Sequence, residues 1–179
     1  AAKALDTLFA PASLNASLGA TITQQPRKHA TDQTTFAIWA PTALKVSVCL
    51  YPQARGKANG KLDLQRDDVS GVWSSTTQKA PQGSYYRYAV EVFVPQVGRV
   101  INHVNDPYAV SLSANSQRSY VADLNAAHLK PANWDTHTSP SSVKHAVDMR
   151  IYELHVRDFS IQDKTVPVSM RGKYLALTQ

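Results

Sequence analysis

The chain has 179 residues, a hydrophobic share of 43% and a formal net charge of +6 from 19 Lys+Arg against 13 Asp+Glu. That is enough apolar material for a core and excludes wholesale disorder, and no run approaches the ~18 apolar residues a membrane span needs. The basic residues (Arg55, Lys57, Lys61, Arg66, Arg87, Arg99, Arg118) are scattered, without the clustering and interleaved aromatics of a nucleic-acid surface.

Along the chain, Ala1–Ala20 is rich in Ala, Ser and Leu and reads as a lead-in with at most one short helix. Thr21–Leu124 reads as a string of short strands. Thr34–Trp39 alternates with Phe36 and Ile38 on one face, and Lys45–Tyr51 does so with Val46, Val48 and Leu50. Gly71–Thr76 is shorter, and Ser84–Val94 puts Tyr86, Tyr88, Val90, Val92 and Val94 in register; Arg118–Leu124 closes the set. Period-two alternation of β-branched and aromatic residues marks half-buried strands. Turn signals fall between them at Ala40-Pro41-Thr42, Arg55-Gly56, Asn59-Gly60, Pro81-Gln82-Gly83 and Val97-Gly98, with Asn59-Gly60 the best hairpin signal. Cys49, the only cysteine, sits inside such an alternation and reads as an inert buried thiol. The spacing predicts an immunoglobulin-like β-sandwich of about 100 residues.

Asn125–Asp148, with Pro131, Pro140 and Ser139–Ser142, has linker composition. Met149–Gln179 changes texture: Arg150–Ser160 (RIYELHVRDFS) reads as a strand, and Gln162–Ser169 as a polar loop.

Little here carries chemistry outright. The six histidines (His29, His103, His128, His137, His145, His155) lack the i, i+4 pairing or cysteine partners of a zinc site, and no residue is assigned to a metal. The glycines are dispersed, so there is no phosphate-cradling loop. Glu91 falls on the polar face of a strand. Glu153 shares a strand face with His155 and Arg157 but lies near the start of its strand, which is a supporting position. No catalytic residue is assigned.

Four stretches together resemble a family. Phe36–Thr42 (FAIWAPT), Val46–Pro52 (VSVCLYP), Gly71–Ser74 (GVWS) and Gly83–Tyr88 (GSYYRY) are similar to the family 48 carbohydrate-binding module, a β-sandwich placed ahead of the barrel in starch- and glycogen-remodelling enzymes. Asn105–Ala109 (NDPYA), Leu112–Leu124 (LSANSQRSYVADL), Leu129–Asp135 (LKPANWD), Tyr152–Ser160 (YELHVRDFS) and Arg171–Thr178 (RGKYLALT) narrow the resemblance to type I pullulanases and limit dextrinases. Lys173, where relatives often carry a second glycine, and the looser Val166–Met170 depart from the pattern.

The resemblance implies a mainly β chain: an immunoglobulin-like β-sandwich, a linker, and the first strand of a truncated (β/α)8 barrel. It implies an N-terminal fragment of an enzyme that hydrolyses α-1,6-glucosidic linkages in pullulan, starch and limit dextrins. The catalytic carboxylates would come from later barrel strands, so the 179-residue piece alone is expected to be inactive. The implied partners are α-glucan and the remainder of the catalytic barrel, and the implied location is extracytoplasmic or secreted. No organic cofactor is implied; calcium is frequent in the family but falls on no residue here. For carbohydrate binding the candidates are Trp39, Trp73 and Trp134, with Tyr51 and Tyr85 behind them. A packing role competes for each: Trp39 at a domain interface, Trp73 in the core, Trp134 between module and barrel. A stand-alone α-glucan-binding module and an immunoglobulin-type scaffold are the rival readings.

Overall fold

A computed structural model of the chain describes residues 2–23, 32–138 and 143–179, apart from the side chains of Ala2, Lys3, Asp6 and Ala10. His29, and Ser139–Ser142 of the expected linker, lie outside the described residues. The chain divides into two compact units, Ala1–Pro131 and Ala132–Gln179.

In the first unit a helix, α1 (Ala2–Ser13), precedes the strands β1 (Gly19–Thr23), β2 (Gln33–Trp39), β3 (Lys45–Tyr51), β4 (Gly60–Asp63), β5 (Gln65–Arg66), β6 (Val72–Thr77), β7 (Tyr85–Val94), β8 (Gly98–Val104) and β9 (Ser119–Tyr120). They make two antiparallel sheets, one ordered β1-β2-β6-β5 and the other β4-β3-β7-β8, with β9 also paired to β7. The alternation explains the packing. Phe36 and Ile38 of β2 meet Val46, Val48 and Leu50 of β3 and Tyr86 and Tyr88 of β7, all buried, with the Phe36 and Tyr86 rings 4.8 Å apart. Burying one large apolar side chain stabilises by about 1.5–3 kcal/mol, so these few residues hold the two layers together.

The sheets are joined by a corner at Leu64, between β4 in one sheet and β5 in the other. Its side chain is buried in the core and its N–H donates to the Val46 carbonyl. Strand β7 changes its neighbour along one edge: Tyr85 and Tyr86 pair with β9, whereas Tyr88–Val94 pair with β8. The β7–β8 turn places Gln96 at φ 68 and Gly98 at φ 97. Asn59-Gly60, in contrast, does not form a two-residue hairpin turn. Gly60 already belongs to β4, and the Asn59 N–H closes onto the Leu50 carbonyl.

A buried polar group fastens the segment after β8. The Tyr86 hydroxyl donates to Asp106 at 2.7 Å, the Tyr108 N–H donates to the other carboxylate oxygen, and the Asp106 N–H donates to Ser119 Oγ. Burial raises the Asp106 pKa, with these hydrogen bonds opposing it; burial, then the neighbouring carboxylate, pushes Tyr86 far up. Ser119 and Val121 are fully buried, so the chain returns to the core here after a long excursion.

The second unit differs from expectation. No strand forms over Arg150–Ser160: Ile151–His155 is without ladder partners, and Val156–Ser160 is a short helix, α2. The physical reason is local. A strand satisfies its backbone only through neighbours, and among the described residues 132–179 contain no other strand. Meanwhile His155 Nδ1 accepts the Asp158 N–H and caps a helical turn. Further on, Ser160 Oγ accepts the Gly172 N–H, and the Arg171 side chain donates to the Val166 carbonyl at 2.7 Å. Ser160, Val166 and Ala176 are buried in this unit, while Ile151 and Tyr152 stay largely exposed.

Candidate functional site

The tryptophans come first. Trp39 and Trp73 lie at one end of the first sheet and hold each other's loops: Trp39 Nε1 donates to the Ser70 carbonyl and Trp73 Nε1 to the Ala40 carbonyl, each at 2.9 Å. The Ser70 loop is itself built by Asp67, whose carboxylate accepts from the Val69 N–H and from Ser70 Oγ. Those hydrogen bonds, led by Ser70, hold Asp67 below the usual carboxylate range. Gly71 completes the loop at φ +69, with Pro41 so close that a Cβ there would lie 2.8 Å from the proline ring. Trp73 is 7% exposed and packed among the core residues, so its ring offers no open face to a sugar. Trp39 is half-buried. Trp134, in the other compact unit, is 58% exposed in a 3-10 turn. Within the first unit, Trp39 and Trp73 are engaged in holding loops together and do not form an open platform.

Three tyrosines, in contrast, are gathered into one row. On the solvent face of the second sheet, Tyr51, Tyr85 and Tyr120 stand directly opposite one another across β3, β7 and β9. The Tyr85 and Tyr120 rings meet edge to face with centroids 5.0 Å apart. The Arg118 guanidinium lies 3.7 Å over the Tyr51 ring and donates to the carbonyls of Gln53 (2.6 Å) and Gly56 (2.5 Å). This combines a cation–π contact with a planar fork on two acceptors, a role lysine cannot copy. Beside the row, Arg87 donates to the His103 carbonyl and Asn105 to the Ser116 carbonyl. Arg87 Nε and Asn105 Oδ1 are buried with no hydrogen-bond partner. Buried polar atoms left open are rare; closed off from solvent, these two are not surfaces that a ligand would touch. Sequence reasoning singled out Tyr51 and Tyr85 but missed Tyr120 and Arg118. Tyr120 sits within the expected strand Arg118–Leu124, yet only the β7–β9 register sets it beside Tyr85.

Among the described residues, catalytic and metal chemistry find no comparable cluster. Glu91 pairs with Arg99 at 3.3 Å on the sheet surface, and Glu153 is exposed outside any element. Among the described residues no group of three or more His, Cys, Asp or Glu gathers as a metal site, and no helix is long and apolar enough to cross a membrane.

The family model for carbohydrate-binding module 48 (isoamylase N-terminal domain) matches residues 17–109, more than half the chain. The chain belongs to this family. It is 44% identical over 178 residues to a pullulanase of Klebsiella pneumoniae, an alignment that takes in 97% of this chain and 16% of that protein. The crystal structure of ligand-free PulA from Klebsiella pneumoniae superposes with a TM-score of 0.84 at 43% identity, over 97% of this chain and 16% of that one. A Paenibacillus barengoltzii pullulanase, crystallised with maltohexaose and α-cyclodextrin, superposes with a TM-score of 0.78 at 32% identity, over 98% of this chain and 24% of that one. The chain thus spans only 16% of the length of the Klebsiella pneumoniae relative. The module's two antiparallel sheets form the mainly β sandwich expected from the alternation, and the tyrosine row lies on its outer face.

Proposed function

We propose that this family 48 module and the unit after it form the N-terminal part of a pullulanase-type debranching enzyme, whose whole protein hydrolyses α-1,6-glucosidic linkages in pullulan, starch and limit dextrins. One observation carries the reading. The 44% identity to the Klebsiella pneumoniae pullulanase covers 97% of the chain and so runs beyond the module match at residues 17–109 into the unit that starts at Ala132. A module borrowed by an unrelated protein would share only its own span.

In this reading Asn125–Asp148 links module to catalytic domain, and Arg150–His155 becomes the first strand of the barrel once neighbouring strands supply its hydrogen bonds. Ile151, 89% exposed, and Tyr152, 78% exposed, are the side chains that such docking would bury. Retaining glycoside hydrolysis needs two carboxyls about 5 Å apart, and we place that pair outside these residues. The part played by this chain is glucan contact at the tyrosine row of the first unit and support of the barrel, with exposed Trp134 a separate candidate contact in the second unit.

The test is a reducing-sugar assay on pullulan paired with retention on amylopectin. The purified chain is expected to hydrolyse nothing, to be retained, and to regain debranching when mixed with a polypeptide corresponding to the remaining length of its relatives. Retention with no complementation would favour a stand-alone α-glucan-binding module, the reading that the tyrosine row by itself supports. Hydrolysis by the chain alone would overturn the assignment of catalysis elsewhere.

A further inference from the structure

The outer face of the second sheet has a second feature at its other end. Pairing places Ser47 of β3 opposite Ala89 of β7, two small residues, between longer neighbours: Lys45 and Glu91 on one side, Lys61 on β4, and Ile101 on β8. The register therefore leaves a depression of about 200 Å³ lined by Lys45, Ser47, Lys61, Ala89, Glu91 and Ile101. Ser47 and Ala89 form the floor and are buried by the side chains around them. Ser47 on the floor lies four residues along β3 from Tyr51, which at ~3.3 Å per residue puts the depression about 13 Å from the tyrosine row on the same face.

The charges around it are largely matched. Lys45 Nζ sits 2.6 Å from Asp63, which also accepts from Ser47 Oγ at 2.7 Å, and Glu91 is paired with Arg99 at 3.3 Å. An anion would require several free cations, and a cation free carboxylates. The rim offers paired charges whose remaining donors and acceptors can serve a neutral ligand, while Ala89 on the floor and Ile101 on the wall present apolar surface. That is the chemistry of a pyranose, apolar along its C–H face and ringed by hydroxyls.

We propose that this depression is a second α-glucan subsite, so that the module takes one chain of several glucosyl units laid across the sheet from the tyrosine row to Lys61 and Glu91. The inference rests on the glucan-binding reading above and adds a length requirement to it. A short oligosaccharide fills only the tyrosine end, whereas a longer one reaches both.

Amide chemical shifts of the chain titrated with maltotriose, maltoheptaose and inorganic phosphate decide it. Maltoheptaose is expected to move the amides of Tyr51, Tyr85 and Tyr120 together with those of Ser47, Ala89 and Glu91, and maltotriose only the first group. Ala89→Met, which fills the floor, and Ile101→Ala, which removes its apolar wall without adding bulk, should each weaken maltoheptaose about tenfold and leave maltotriose within about twofold. Maltoheptaose shifts confined to the tyrosine row, or unchanged affinity in both variants, would overturn the subsite while leaving glucan binding by the module standing. Phosphate moving the depression's amides in place of glucan would overturn the choice of a neutral ligand. No shift with either oligosaccharide would overturn both readings together.

Discussion

Replacing Tyr86 with Phe isolates the buried contact between a phenol and a carboxyl with almost no change of shape. Tyr86 is fully buried and Asp106 is 4% exposed, and the hydroxyl donates to the carboxylate at 2.7 Å. A hydrogen bond to a charged group contributes about 1.5–3 kcal/mol, so the variant should lose about 2 kcal/mol at neutral pH. For a chain of this size that lowers the unfolding midpoint by about 4–8 °C. The pH dependence is the sharper observable. Asp106 is raised above the ordinary value of 3.8, chiefly by burial. A carboxyl so raised holds its proton more tightly in the folded state. Its contribution to stability is therefore full below the unfolded value and is lost as pH rises through the folded value. Removing the phenol takes away the larger of the two hydrogen bonds that hold this pKa down, so the folded value climbs further. The variant's deficit should be small where Asp106 is protonated in both proteins and should widen towards neutrality. Urea unfolding followed by near-UV circular dichroism from about pH 4 to about pH 8 measures it. A deficit independent of pH, or one below about 0.5 kcal/mol at neutral pH, would refute the claim that the Tyr86 hydroxyl favours the charged form of buried Asp106.

Gly71→Ala should destabilise the first unit by about 1–2 kcal/mol from its left-handed backbone alone and by more from the encounter with Pro41, read as a lower urea midpoint. Trp73→Ala should cost about 3–5 kcal/mol as a core truncation, whereas Trp134→Ala, at an exposed position, should stay within about 0.5 kcal/mol; paired thermal melts check both, and equal losses would contradict the burial described. Arg118→Lys keeps the charge but loses the planar stack on Tyr51 and the fork on two carbonyls. Hydrogen exchange should then quicken across residues 52–59 and stay unchanged in β2 and β6, and uniform exchange would show that Arg118 does not fix this loop.

What the sequence disclosed and what it withheld divide along physical lines. Phe36, Ile38, Val46, Val48, Leu50, Tyr86 and Tyr88 announce their shared side through period-two alternation, and all seven are buried. Alternation tells which side a residue faces, but not which strand lies next to it. Tyr120 lies far along the chain from Tyr51 and Tyr85, and nothing local reveals that β9 brings it to them. Strand β8 was not singled out because its Arg99, Asn102 and His103 are exposed and its pattern reads as polar. Arg150–Ser160 shows the converse limit. Its composition favours a strand, yet pairing is a property of neighbours, and without them the backbone takes a capped helical turn at Val156–Ser160. Trp73 illustrates a third limit. An aromatic beside a turn reads equally as platform or core, and only the bond from its indole to the Ala40 carbonyl, with its place among the packed residues, separates the two.

The late return of the chain through β9 bears on where this module can be cut for use elsewhere. The family match closes at residue 109, but Ser119 and Val121, both at 0% exposure, complete the interior from beyond that border. An excised domain that stops at the border would open a hole beneath Tyr86, leave the Asp106 N–H without its serine acceptor, and strip the Tyr85 ring of its neighbour. A graft, fusion or crystallisation fragment should keep the polypeptide through at least Val121, and shortening it stepwise from Leu124 would locate the border that folding itself obeys.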